Sequence, residues 1–173
     1  MAGVWSARRS LFLDASIKWP IGEEVVSQKL MVPLDGSAKA EKVLDLAQRF
    51  LAQGGRGILL RVLQTLKAKK DERRSNRGRL RQEARRAAAL GYLRCVVGHL
   101  EAPGIWRCEV VEADSVAQGI ADFAAREEVR LIAMYTHDRK GLAKLIRGSI
   151  AEKVQERASV DVLVFKSKEL VVS

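Results

Sequence analysis

Two short stretches of the sequence have the residue types needed to bind a phosphorylated ligand. Asp35-Gly36-Ser37 follows the apolar run KLMVPL (29–34), and Gly148-Ser149 precedes a helical pattern. The first three are turn and cap residues, so we expect a helix to begin at Ser37 or Ala38. A helix that begins after Gly-Ser presents unpaired backbone N–H groups, which attract an anion. The chemistry that this pattern indicates is non-covalent anion binding. The competing interpretation is a loop that keeps this shape and binds nothing, in which Ser149 only caps a helix.

No residue set in the sequence is typical of catalysis or of metal binding. His99 and His137 lie in unrelated contexts, and no strand–turn–helix nucleophile motif or paired carboxylates stand out. Cys95 and Cys108 are too far apart in sequence for a CxxC motif. We therefore expect no metal site, two buried free thiols, and a protein that is not an enzyme, although a slow ATPase leaves no clear signature.

The length and composition indicate one globular domain. A chain of 173 residues with 47% hydrophobic and 30% charged residues can bury a full core. No apolar run approaches the roughly 18 to 20 residues that a membrane span needs. Residues 1–28 lack sustained periodicity and the long apolar middle of a secretory signal, so we expect an N-terminal extension and a cytoplasmic protein.

The elements that position the two stretches alternate between strand and helix. Apolar runs predict strands at 29–34, 57–63, 105–113, 130–136 and 161–166, with helices over 38–51, 80–97, from about 115, and over 149–158. Strands without alternation, separated by helices, favour a parallel sheet with helices on both faces. In such a sheet, ligands bind beyond the carboxyl ends of the strands where strand order reverses. The loops after the first and fourth strands are therefore the predicted site.

Most of the positive charge lies in one segment. The chain has a net charge of +10, and residues 67–86 hold ten Lys or Arg against three acids, a net +7. Such a segment can attract nucleic acid or another anion, but it can also be a solvated loop that runs into an exposed helix face. No aromatic residue interrupts it as a base-stacking surface requires. We rank nucleic-acid binding last among the functions considered.

At the two predicted site loops the sequence resembles the universal stress protein family. The match lies in KLMVPLDGSAKAEKVLDLA near the start and in LIAMYTHDRKGLAKLIRGSIAEKVQERASVDVLVF near the end. The resemblance covers about residues 29–167 and leaves 1–28 as an extension and 168–173 as a tail. It implies an open, Rossmann-like five-stranded parallel sheet in the order 3-2-1-4-5, of the adenine nucleotide alpha hydrolase type. It also implies a homodimer that pairs through the last strand, 161–166.

The resemblance assigns a role to each candidate site residue. Some members of the family bind ATP with a Gly-x2-Gly-x9-Gly-Ser/Thr loop; in this chain the final pair is Gly148-Ser149, whereas Tyr135 and Asp138 replace the first two glycines. Adenosine would lie against the residues matching Pro33, Asp35 and Val62, with the Asp35 carboxylate at the nucleoside and the Val62 backbone at the base. The candidate residues are Pro33, Asp35, Val62, Tyr135, Thr136, Asp138, Gly148 and Ser149.

The replaced glycines should weaken triphosphate binding. Asp138 brings a carboxylate to the phosphates, which costs about 4 kcal/mol at ~4 Å and an effective dielectric near 20. This corresponds to an affinity loss on the order of a thousandfold. A Mg²⁺ ion between the carboxylate and the phosphate would offset this repulsion. The four basic residues nearby, Arg139, Lys140, Lys144 and Arg147, would offset it as well. Alternatively, Asp138 and Asp35 only hydrogen-bond their own turns.

Three functions follow, in decreasing order. The first is a non-catalytic stress-response dimer that has a degenerate nucleotide site and acts through protein partners. The second is an adenine-nucleotide binder, for ATP or AMP with Mg²⁺, that has an altered phosphate loop. The third is nucleic-acid binding by the basic segment.

Overall fold

The computed structural model describes residues 11–12, 29–52, 54–65, 76–136 and 150–166. The strands are β1 (Leu11–Phe12), β2 (Lys29–Pro33), β3 (Arg56–Gln64), β4 (Trp106–Ala113), β5 (Leu131–Thr136) and β6 (Asp161–Lys166). The helices are α1 (Ala38–Glu41), α2 (Leu44–Leu51), α3 (Asn76–Gly98), α4 (Val116–Arg126) and α5 (Ile150–Arg157). A 3₁₀ turn, Pro103–Ile105, precedes β4.

The strands form one parallel sheet in the order β1-β6-β5-β2-β3-β4. Counted from β2, the five strands that follow the extension have the order 3-2-1-4-5, which confirms the predicted fold. The sixth strand lies in the N-terminal extension. Leu11 pairs with Leu163 and Phe12 with Val164, so part of the extension belongs to the sheet. The homodimer through 161–166 stays a prediction, and β1 occupies part of the same edge.

The sheet separates two apolar layers. One face packs against α1, α2 and α3 around Val32, Leu59 and Leu93, and the other packs against α4 and α5 around Met31, Leu60 and other apolar side chains. The fully buried residues of β2 and β3 are apolar on both faces, which explains their continuous apolar sequences. In the described part of the chain, helices therefore cover both faces of the sheet, and the strand ends lie outside these layers.

Several sequence predictions differ from the structure. Helix α3 begins at Asn76 rather than near Leu80. The arginines of this stretch have a high helix propensity even though they are exposed to solvent. The first predicted helix is interrupted between α1 and α2 at residues 42–43. Cys95 is exposed and Cys108 is half-buried, so the expectation of two buried thiols was wrong. Leu93 and Val96 face the core, and a residue between them on a helix points away.

Candidate functional site

The candidate site lies where the order of the strands reverses, between β2 and β5. These strands pair only through Leu30 with Leu131 and Met31 with Ile132, whereas β5 and β6 pair over six residues each. Within the described residues, no backbone pairing joins the carboxyl-terminal halves of β2 and β5. A crevice therefore opens between the end of β2, at Pro33, and the end of β5, and it is the position at which parallel sheets of this kind bind ligands.

The loop after β2 is held by its own side chains. Asp35 Oδ1 accepts hydrogen bonds from the Ser37 N–H at 2.9 Å and from Ser37 Oγ at 2.6 Å. Ser37 Oγ in turn accepts from the Ala40 N–H at 3.2 Å and caps α1, as predicted. Gly36 has φ 84°, a conformation that favours glycine. The Asp35 carboxylate is exposed at the mouth of the crevice and already has a turn-forming role.

The ladder between β2 and β3 ends at the crevice. Its last bond runs from the Leu34 N–H to the Leu60 carbonyl at 2.9 Å. The Leu34 carbonyl, which the next ladder bond would use, accepts instead from Arg61 Nη1 at 3.0 Å. Residues of a strand alternate the direction of their backbone polar groups, so the N–H of Val62 points to the same side as that of Leu60, where β2 has ended. The Val62 N–H therefore lies beyond the end of the ladder with β2, and its contact with a base stays a prediction.

The Val62 side chain points to the opposite layer and packs against α4. A Cβ atom added to Gly119 would lie 2.7 Å from Ala113 Cβ and 3.0 Å from Val62 Cγ1, so glycine permits the close approach of helix and strand. The carboxyl end of β3 is therefore held on both faces, by Arg61 on one and by α4 on the other.

Tyr135 lies inside β5 and pairs in register with Phe165. Ala133 belongs to the layer that contains α1, and Tyr135, two residues further along the strand, shares that face. The ring is half-buried. A side chain therefore stands near the end of β5, at the position that the resemblance assigns to the first glycine of the phosphate loop. The backbone of Thr136 ends the same strand and pairs with Lys166.

The remaining predicted site residues, Asp138, Gly148 and Ser149, lie outside the described residues, as does His137. The structure therefore brings together Pro33, Asp35, Val62, Tyr135 and Thr136 at one end of the sheet. Across the described ranges, no group of three or more His, Cys, Asp or Glu side chains is arranged to bind a metal ion.

A polar contact connects the site loop to α3. Tyr92 Oη donates to Glu41 Oε1 at 2.7 Å, which ties α3 to α1. Burial and then this hydrogen bond raise the pKa of Tyr92 well above its usual value, while Arg61 opposes the rise and Asp35 adds to it. Because Arg61 and Asp35 both act on Tyr92, the charges of this cluster are close enough to influence one another.

Sequence reasoning missed three residues of this region. Arg61 interrupts the apolar run GILLRVL, and a lone charge in a buried strand was a usable signal. Gly119 interrupts the apolar stripe of a helix, where glycine costs stability and indicates close packing. Tyr92 gave no signal, since its partner Glu41 lies 51 residues away in the chain.

The comparisons with known proteins give one consistent result. Residues 27–166 match the model of the universal stress protein family. The fold is similar to that of universal stress protein UspA from Lactobacillus plantarum, with a TM-score of 0.62, 20% identity and coverage of 82% of this chain and 99% of that one. No protein with a curated description matches the sequence.

Two further structures with the same fold contain adenine nucleotides. One is a universal stress protein in complex with cAMP, with a TM-score of 0.58, 18% identity and coverage of 83% of this chain and 99% of that one. The other is a universal stress protein family protein from Arabidopsis thaliana with AMP bound, with a TM-score of 0.55, 14% identity and coverage of 84% and 96%. At these identities the likeness shows the fold alone.

Proposed function

This chain belongs to the universal stress protein family, and from that premise we propose that it is a non-catalytic stress-response protein with a degenerate nucleotide site. It acts through protein partners in the cytoplasm. In this proposal the adenosine end of the crevice is kept and the triphosphate end is lost. No described helix is long and apolar enough to cross a membrane.

The observation that carries the proposal is the position of Tyr135. Its half-buried side chain stands near the end of β5, beside a crevice that retains the Asp35 turn and the Val62 backbone, which lies beyond the end of the ladder with β2. Glycine at this position would let the backbone approach a phosphate closely. A tyrosine removes that approach, and the Asp138 carboxylate adds a charge of the wrong sign three residues later.

Dimerisation through 161–166 is part of the proposal. Its support is the apolar sequence of β6, since an open apolar edge strand tends to pair with another chain. Leu11–Phe12 already pairs with Leu163–Val164 and covers part of this edge. A second copy must therefore displace β1 or pair with the rest of the edge.

A second candidate is an adenine-nucleotide binder with a changed phosphate mode. It is favoured because the ligands of the two nucleotide-containing structures, cAMP and AMP, each have a single phosphate. A monophosphate needs less of the loop than ATP does. The Asp35 turn and the Val62 backbone would hold the nucleoside, with Mg²⁺ as an aid to phosphate binding.

Calorimetric titration with ATP plus Mg²⁺, with AMP and with cAMP separates the two candidates. We expect no measurable ATP binding at micromolar concentrations, and micromolar ATP affinity would overturn the degenerate-site proposal. Binding of AMP or cAMP alone would establish the second candidate.

Two variants of Asp35 then test how the nucleoside is held. Asp35→Asn keeps an oxygen that can accept from Ser37 but removes the charge, whereas Asp35→Ala removes both. If the carboxylate contacts the ligand, both variants lose affinity. If it only forms the turn, Asp35→Asn keeps the affinity and Asp35→Ala alone loses stability, by roughly 1 kcal/mol.

A further inference from the structure

The first half of α3 stands apart from the core. The helix spans Asn76–Gly98, but its first buried residue is Ala89. We call residues 76–88 the arginine arm; at 1.5 Å per residue it is about 20 Å long. Every residue of the arm is exposed except Gly78 and Arg85, which are half-exposed. Such a segment adds little to the core, so core packing does not account for its arginine-rich composition.

Two contacts fix the arm relative to the sheet. Arg85 Nη2 donates to the carbonyl of Gln64, the last residue of β3, at 3.3 Å. The Gln82 side chain donates to the Glu112 carboxylate near the end of β4. The helix therefore passes the carboxyl ends of these strands at about residues 82–85. Residues 76–81, one and a half turns, project beyond the sheet at the end that holds the candidate site.

The charge of the arm is almost entirely of one sign. It has arginines at 77, 79, 81, 85 and 86 and one acid, Glu83, so its net charge is five minus one, or +4. Arg77, Arg81 and Arg85 are four residues apart and form one stripe with a step of about 6 Å. In the described residues, the ion pairs involve other arginines, at 107, 126 and 157. The arm thus presents positive charge that the described fold does not neutralise.

We infer that the arginine arm is a docking surface for the phosphate backbone of a double-stranded nucleic acid. This function lies beyond the proposed nucleotide site and does not depend on it. Arginine is suited to phosphate because its planar guanidinium can donate two parallel hydrogen bonds. The lack of aromatic residues argues against single strands, whose bases need stacking surfaces, but a duplex keeps its bases stacked internally.

The shape of the arm favours duplex DNA in particular. A mostly exposed helix that projects for more than one turn fits the major groove of B-form DNA, about 12 Å wide. The major groove of A-form RNA is too narrow for this. An acidic protein is a weaker candidate partner, because the anchors of protein interfaces are buried and include aromatic residues besides arginine. The arm has no aromatic residue, and its one large apolar side chain, Leu80, is 59% exposed.

The test is fluorescence anisotropy of the full chain with a short labelled DNA duplex, at salt concentrations from about 50 mM to 200 mM. The test variant is the triple Arg77→Gln, Arg79→Gln and Arg81→Gln, which spares the Arg85 contact and keeps a similar helix propensity. The matched control is Arg49→Gln, Arg94→Gln and Arg130→Gln, three exposed arginines outside the arm. Both triples remove the same charge, and circular dichroism checks that each remains helical.

We expect the native chain to bind duplex DNA with an affinity that falls steeply with salt. The arm triple should lower the slope of log K against log [salt] by roughly 0.9 for each arginine that contacts a phosphate. The control triple should leave the slope nearly unchanged. Equal losses in the two triples, no binding by the native chain, or binding only to anionic vesicles or an acidic peptide would overturn the inference. Equal binding of duplex RNA would keep phosphate recognition and overturn only the groove preference.

Discussion

Arg61 Nη1 lies 3.0 Å from the carbonyl oxygen of Leu34 and takes the acceptor at which the ladder between β2 and β3 would continue. The same guanidinium lies near Gly36: a Cβ atom added there would be 3.5 Å from Arg61 Nη1. One side chain thus ends the ladder and lies against the turn that follows it. At this point an arginine takes the place of the backbone donor in the ladder between β2 and β3.

Replacing the half-buried Arg61 should therefore destabilise the loop at the site. Arg61→Met keeps the apolar stem and removes the donor, and we expect the free energy of unfolding to fall by about 1 to 2 kcal/mol. Urea denaturation measures this loss. Arg61→Lys is the control, since an ammonium group can still reach the carbonyl and should lose less. If both variants are as stable as the native chain, the contact does not hold the loop.

Restoring the glycines of the phosphate loop should create ATP affinity. Tyr135→Gly with Asp138→Gly removes the side chain at the end of β5 and the nearby carboxylate. Removal of the Asp138 charge alone should raise the affinity for ATP on the order of a thousandfold. Calorimetry with ATP and Mg²⁺ measures the gain, and thermal unfolding checks that glycine in the strand has not destabilised the fold.

Asp138→Asn separates charge from backbone freedom in that experiment. It removes the negative charge and keeps a side chain of similar size. If repulsion dominates, this variant gains most of the affinity; if glycine geometry dominates, it gains little. No gain in any of the variants would show that the crevice has lost its adenosine end as well.

Sequence reasoning succeeded where the cause was local or shared with the family. Ser37 caps α1 through a contact with Ala40, only three residues away, and the order of the strands was implied by the resemblance to the family. It failed where a contact depends on how two strands distant in sequence are aligned. The partner of Arg61 is a carbonyl 27 residues earlier, and it can be identified only when β2 and β3 are aligned. Two-residue β1 is too short to produce any periodicity.

Tyr92 should keep its proton in alkaline solution. Burial and the Glu41 hydrogen bond raise its pKa, so the folded state holds the proton after the unfolded chain, with an ordinary pKa near 10, has lost it. The stabilisation is therefore complete below about pH 10 and is lost as pH rises through the folded-state pKa. The chain has two tyrosines, so tyrosinate absorbance should show one ionising late and only with unfolding.

Tyr92→Phe assigns the late step. It keeps the ring and removes the hydroxyl, so the late ionisation should disappear and stability at neutral pH should fall by about 1 kcal/mol. Tyr135→Phe, the control, should keep the late step. A late step that survives in Tyr92→Phe would place the protected proton elsewhere.

The short strand β1 should control access to the edge of the sheet. Leu11 and Phe12 pair with two residues of β6, a strand whose apolar edge would otherwise be open to another chain. Deleting residues 1–20 should therefore strengthen the proposed dimer, so that light scattering reaches the mass of a dimer at a lower protein concentration than for the native chain. In the full-length chain, Phe12→Pro should act in the same direction, because proline lacks the N–H that a ladder requires. A concentration dependence of the mass that neither change alters would show that a second copy and β1 do not compete for β6.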